Sequence, residues 1–513
     1  MKRRWKILLA AAGLLLLLTA SILVTLHVQP DNDLEAYQKL LLARGEKLEL
    51  AEVLPPPARA EENSADAARD AAAMFGSAAD NYNAMRMVAP GKAAVCWQQA
   101  DVRGPDFTNS WDTYRANIEA DRPAVELLHQ VLDRPKLDFQ LDYSLGARMP
   151  MTHLATNKRA AQKLAAAAML DLHDGDPGAA ATNLLTMLAL VQRDFRDDLL
   201  IGHLVRLAIT GIAIPPTWEF LQATNLTDAQ LAALQNGWQQ LDFLRDSENT
   251  IATERAWVAA QVQKSRASHE NFKEFLVFSV AMSGSSSGGG FGWPPDWETI
   301  TERPRYAVAE VMWRSSWSYS QELQLLKIDQ VILETVRTME TNRSQLYKAD
   351  CDAMMTNLAK LGGTNARGGV FFRALEIPDF HEEFGDWISG TLRRTLQTET
   401  ARRVVVSAIA LKRFELKHGK LPETLAELAP EYLPSVPIDP YDGKPLKYHP
   451  NEDGTFLLYS VGDDGLDDGG DVTPAKWSSG GWPNWDWQHA RDWVWPQPAT
   501  PAEVQNFYKH PPK

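Results

Sequence analysis

The pattern of apolar and polar positions changes character several times along the chain. It opens on a nearly unbroken apolar run, Ile7 to Val28, behind Met1-Lys2-Arg3-Arg4-Trp5-Lys6. A helix rises ~1.5 Å per residue, so about 20 such residues cross a ~30 Å hydrocarbon core, whereas the apolar part of a cleavable signal is usually only ~7–15 residues long. The pattern predicts an uncleaved transmembrane anchor over 7–28. The basic tail, 1–6, is expected to stay in the cytoplasm and the bulk of the chain to lie outside it. The expected location is the inner (cytoplasmic) membrane, single pass, N-terminus in, with the bulk periplasmic or otherwise extracytoplasmic.

Beyond residue 33, helical periodicity dominates. Leu34 to Leu50 has helical spacing and stops at Pro55-Pro56-Pro57, and an Ala-rich helix is expected from Ser64 to Phe75. Residues 33–122 read as a stalk and helical linker. The strongest pattern lies in 123–265, where Thr156 to Leu172 is one helix and the turn His173-Asp174-Gly175 ends it. Asp176 then serves as N-cap, with Pro177 at the first helical position. Leu184, Leu185, Leu188 and Val191 mark the next helix. A third is expected from Leu199 to Ile214, ending at Pro215-Pro216, and a fourth opens with the capping box Thr227/Gln230. The run Leu199 to Ile214 carries His203 and Arg206, which favours a buried core helix over a second membrane span.

Helices joined by such short turns predict antiparallel hairpins of tetratricopeptide-like architecture, although no 34-residue period is present. Residues 266–386 hold a Ser/Gly-rich loop, Ser283 to Gly292, and further helices from Ala307 to Leu361. A long helix is expected from Trp387 to His418, stopped by Gly419. The fold class expected is mainly α: an N-terminal transmembrane helix, an α-helical hairpin body, and a small α+β head over 387–475 followed by a Trp-rich tail, 476–513.

Composition narrows the function. A net charge of -14 and a pI near 5.3 exclude a general nucleic-acid binder, which needs clustered Lys and Arg for phosphate contacts. Cys96 and Cys351 are the two cysteines, too few for a disulfide framework or a zinc site, and they are expected as separate buried thiols. No catalytic residue emerges. Gly284-Ser285-Ser286-Ser287-Gly288 matches a nucleophile elbow in letters, but it lies in low-complexity sequence with no strand before it. His381-Glu382-Glu383 lacks the second histidine of a zinc-protease helix, since Gly385 stands where it should be.

The C-terminal region is more specific. Pro422 is expected to start a short helix through Leu428. Lys447 to His449 and Thr455 to Ser460 are expected as strands joined at Asn451-Glu452-Asp453-Gly454. Three motifs stand in order: Gly419-x-Leu421-Pro422, then Leu433-Pro434-x-x-Pro437-x-Asp439-Pro440-Tyr441, then Tyr459-Ser460-Val461-Gly462-Asp463-Asp464-Gly465. Together they resemble the globular head of the major pseudopilin of type II secretion systems, over about 70 residues. A pseudopilin carries its membrane helix directly ahead of this head, behind a peptidase site. Here the anchor lies far upstream and Asp442 intrudes before Gly443, so the resemblance implies a borrowed head, not a filament subunit.

The resemblance also implies calcium in the loop after the last strand. Asp464 maps onto the family's motif, while Asp467, Asp468 and Asp471 are metal-ligand candidates by position. Five carboxylates within nine residues would otherwise repel one another, and calcium takes oxygen ligands of this kind. A solvated acidic turn is the alternative. Beyond the loop, Trp477, Trp482, Trp485, Trp487, Trp493 and Trp495 predict either a binding surface or a tail wrapped on its own body. The function expected is that of a membrane-anchored envelope scaffold or adaptor with a protein partner in the envelope. The alternative is a periplasmic hydrolase of peptides or glycans with catalytic residues still to be found.

Overall fold

The computed structural model describes residues 30–76, 84–104, 107–193, 197–284, 304–341, 347–362, 380–473 and 491–510. The anchor expected at 7–28 and the serine motif at 285–288 lie outside the described residues. The described chain is mainly helical with small sheets.

Helix α1 covers residues 30–43 and ends at Gly45, whose φ of +83° lets the chain reverse. Leu34 and Leu41, seven residues apart and so on one helical face, are buried against Leu326. The leading segment therefore packs on the body and does not stand free as a stalk. Its anchor point is Glu46, whose carboxylate accepts from Arg255 at 3.1 Å and Arg337 at 2.5 Å, and from the Gln330 amide at 3.1 Å. Burial alone would push the Glu46 carboxyl up. The three donors outweigh it and hold the group at about 2.

Next come α2 (Ala65–Met74), the antiparallel pair β1 (Arg86–Ala89) and β2 (Lys92–Ala94), the pair β3 (Val102–Arg103) and β4 (Thr108–Asn109), and α3 (Trp111–Leu128). Five helices then form the body: α4 (Thr152–His173), α5 (Pro177–Gln192), α6 (Leu200–Leu221), α7 (Asp228–Gln239) and α8 (Phe243–Ser265). Ala160, Ala161 and Ala165–Ala168 are fully or nearly fully buried, and their small side chains let α3, α5 and α6 approach α4 closely. The capping predictions hold: Asp176 accepts the Ala179 N–H, and Thr227 and Gln230 form a capping box.

Helix α6 corrects one expectation. It runs through Pro215 and Pro216 to Leu221. The prolines remove two backbone donors, but the Thr217 hydroxyl donates to the Ala213 carbonyl at 2.8 Å, and Trp218, Phe220 and Leu221 are buried beyond them. As its buried face shows, α6 is a core helix among α4, α5, α8 and the later α13.

Helices α9 (His269–Gly284), α10 (Pro304–Met312), α11 (Ser318–Thr341) and α12 (Tyr347–Gly362) complete the body, with a π-helical turn at Trp313–Trp317 joining α10 to α11. Helix α13 (Phe380–His418) passes from the body into the head, where β5 (Lys447–Pro450) and β6 (Phe456–Ser460) form the expected hairpin. The short helix before them begins at Leu425, three residues later than Pro422 suggests, because Thr424 and Glu427 form its capping box. Strand β7 (Trp493–Val494) adds to β6, β8 (Gln497–Pro498) pairs in parallel with β2, and α14 (Pro501–Lys509) packs on β1.

The C-terminal segment thus straps the head to the N-terminal hairpin. Trp493 and Trp495 are buried, and Trp218 Nε1 donates to the Pro496 carbonyl at 2.8 Å. The other four tryptophans of the cluster lie outside the described residues. One apolar cluster runs from Ala65 to Trp495 through both body and head, with smaller ones under α1 and α14. Cys96 and Cys351 are unpaired and half-buried.

Candidate functional site

Asp439, in the second head motif, sets where the acidic loop lies. It is fully buried. Its Oδ1 accepts from the Tyr441 N–H at 3.0 Å and the Ser460 hydroxyl at 2.9 Å, and its Oδ2 accepts from the Val461 N–H at 2.8 Å. One carboxylate thereby ties the turn after Pro437 to the end of β6. Burial pushes the Asp439 carboxyl above its ordinary range, and the three donors oppose that rise.

From Val461 the chain enters the acidic loop, which turns on glycines of positive φ at 462, 465, 469 and 470. Three of the four expected metal ligands engage their own turns. Asp464 Oδ1 accepts from the Leu466 N–H at 2.9 Å. Asp467 Oδ1 accepts from the Gly469 N–H at 3.1 Å and the Tyr459 hydroxyl at 2.9 Å. Asp471 Oδ1 accepts from the N–H and the hydroxyl of Thr473, and Asp468 is exposed. Among the described residues, no three His, Cys, Asp or Glu side chains form a metal-holding group.

Sequence reasoning missed Asp492. It is fully buried, its Oδ2 accepts the N–H groups of Gly470 (2.7 Å) and Asp471 (3.0 Å), and its Oδ1 has no hydrogen-bond partner among the described residues. Burial, with the charge of Asp467 adding, raises its carboxyl. The charge of Asp467 is felt at Asp492, which puts two carboxylates, a donor type that hard cations take, in one neighbourhood, but no third ligand joins them as a metal-holding group among the described residues. A signal for Asp492 was hard to read, since it sits 21 residues beyond the loop in the tail.

A concave feature lies elsewhere, where body and head meet. A cleft of about 870 Å³ is walled by α7 and α8, by α13, and by the extended segment Leu433–Ile438. Glu399 is among its lining residues. That buried carboxylate accepts from Arg402 at 2.7 and 2.8 Å and from Arg403 at 2.8 Å. Burial would raise the Glu399 carboxyl, but the two guanidiniums hold it at about 2. Each arginine also reaches outward: Arg402 to the Trp238 carbonyl of the body (3.3 Å), Arg403 to the Ile438 carbonyl of the head (2.8 Å). Positions 399, 402 and 403 fall on one helical face, a spacing visible in the sequence, but the two carbonyl partners were not.

The charged side chains lining the cleft balance, with Asp242, Glu340 and Glu399 against Arg245, Arg402 and Arg403. Ser435 is in the lining, and no histidine accompanies it among the described lining residues. No family model matches the chain, and no curated protein or solved structure is found similar to it.

Proposed function

We propose that the protein is a membrane-anchored envelope scaffold or adaptor that receives a polar, extended segment of a partner protein in the cleft between body and head. The observation that carries this reading is the Glu399–Arg402–Arg403 lock, which bonds to both walls and so holds the cleft open in one shape. A preformed cleft lowers the ordering cost of association. Its balanced charges suit a segment bearing both signs better than a purely apolar ligand.

The anchor and the pseudopilin-like head belong to the same reading. Because α1 is fastened to the body through Glu46, an anchor at 7–28 would hold the cleft at a fixed height above the membrane. Calcium belongs to it as a structural ligand of the acidic loop, held by Asp492 and Asp467, where it would neutralise charge and support the strand carrying Trp493. On that reading the full chain melts at a higher temperature in calcium than in chelator, and Asp492→Asn abolishes the difference. Equal melting temperatures would remove calcium and leave a solvated turn.

A photo-crosslinking amino acid placed at Arg245, an exposed position of the cleft, tests the adaptor reading in cells. The expected result is a discrete membrane-associated adduct that is absent when the same group is placed at Lys360, an exposed residue outside the lining. No adduct at Arg245, or the same adducts at both positions, would contradict it.

A further inference from the structure

A second cavity, of about 520 Å³, lies away from the body–head cleft, between α2, the segment from Phe139 to Pro150, and the first turns of α4. That is the size of a small-molecule site. Ala72 and Ala73 contribute small side chains, Phe139, Leu145 and Met149 give it an apolar side, Arg69, Asp142 and Thr156 a polar one, and His153 lines it from α4.

His153 is a buried histidine with a buried partner. Its Nε2 lies 2.7 Å from Asp197 Oδ2, and both residues are nearly inaccessible. A carboxylate only accepts, so this contact places a proton on Nε2, and in the neutral ring Nδ1 is then an acceptor. The ring lies 4.8 Å from the Phe139 ring, which fixes its plane. Gly202 makes room for Asp197: a Cβ there would sit 2.6 Å from the carboxylate.

The opposite wall is built to keep its shape. Gln140 holds a φ of +55°, unusual for a side chain of its size, and its N–H donates at 2.8 Å to Asp138, a fully buried aspartate whose other oxygen accepts the Ala58 N–H. Arg69 donates to the Phe139 carbonyl at 3.0 Å and lies 5.6 Å from the centre of the Phe139 ring. Backbone in a sparsely populated region persists where its surroundings over-determine it.

We propose that this cavity binds a small molecule with an apolar body and a hydroxyl group, whose proton His153 Nδ1 accepts in a hydrogen bond. Asp197 is a positioning residue in this account, because it acts by fixing the tautomer. The site is independent of the adaptor reading, since none of its lining residues reaches the body–head cleft.

The test uses the full chain in detergent and a set of simple phenols, each paired with its O-methyl ether, with binding read by saturation-transfer NMR and titration. The phenols should bind at least about tenfold more tightly than their ethers, the value of one well-placed hydrogen bond. Leu145→Trp, at a partly exposed wall position, should abolish phenol binding without unfolding the chain. His153→Phe, where it folds, should equalise phenol and ether. Phenols and ethers binding alike, phenol binding that survives Leu145→Trp, or no phenol binding at about 10 mM would each overturn the proposal.

Discussion

Two fully buried aspartates show how differently the head and the body are wired. Asp439 in the head accepts three hydrogen bonds, two of them from residues of recognisable head motifs only about twenty positions away. Asp329, in the middle of α11, is equally inaccessible, yet neither of its carboxylate oxygens has a hydrogen-bond partner among the described residues. Burial pushes the Asp329 carboxyl far above its ordinary range, with Arg255 only partly offsetting it, which favours its neutral form. The head spends its buried charge on local architecture. In the body, the buried polar groups that do carry structure find their partners far along the chain, as Glu46 does with Arg255 and Glu219 with Met85 and Cys96.

That contrast orders the expected mutational effects. The largest belongs to the junction. Glu399→Gln leaves two buried guanidiniums without their counter-charge and should cost about 3–5 kcal/mol in denaturant unfolding. A loss under about 1 kcal/mol would mean that the lock does not hold the two walls together. Asp439→Ala strands three donors at the head and should cost about 3 kcal/mol. If that variant unfolds like the parent chain, the motif is not what ties the turn to β6.

The pH dependence comes next. Burial raises the Glu219 and Glu254 carboxyls to about 7, against the N–H groups of Met85 and Cys96 for the first and of Leu200 for the second. An acid raised in the folded state gives stability that is present at low pH and lost as pH rises through its folded value. Lowering pH from 8 to 6.5 should therefore stabilise the chain, with about 0.8 kcal/mol from each of these two groups and the raised Asp329 adding in the same direction. Glu219→Gln should remove about 0.8 kcal/mol of that gain. Glu46 and Glu399, held at about 2, change nothing in this window, because their contribution is lost only below the ordinary carboxylate range. Below pH 6.5 the buried His203, pushed down to about 3 by burial, opposes the gain, since the unfolded chain then takes up the proton first. A melting temperature that falls between pH 8 and 6.5 would contradict the assignment. No loss is expected at Asp329→Asn: an amide needs no proton uptake on burial, so at neutral pH the variant should be at least as stable as the parent. A large loss there would show that Asp329 is wired after all.

The same contrast explains what could be read from the chain. Helix caps such as Asp176 and Thr227 and the hairpin of β5 and β6 were legible because each is set by residues within a few positions. The continuation of α6 through Pro215-Pro216 was not, because tertiary burial of Trp218 and Phe220 outweighs a local stop signal. The cleft was half legible: Glu399, Arg402 and Arg403 share a helical spacing, but their bonds to Trp238 and Ile438 depend on the fold. The pairing of His153 with Asp197, 44 residues apart and without a motif, left no trace in the sequence.

The claim on which the adaptor reading rests is that body and head form one cooperative unit holding the cleft in a single shape. Native-state hydrogen exchange on the full chain tests it directly, by comparing the Val461 amide, held by Asp439 in the head, with the Leu200 amide, held by Glu254 in the body. The account predicts that both exchange only through global unfolding, with the same free energy and the same response to denaturant. Exchange of Val461 through a separate opening that costs about 2 kcal/mol less would show a head that comes loose on its own, and would contradict it.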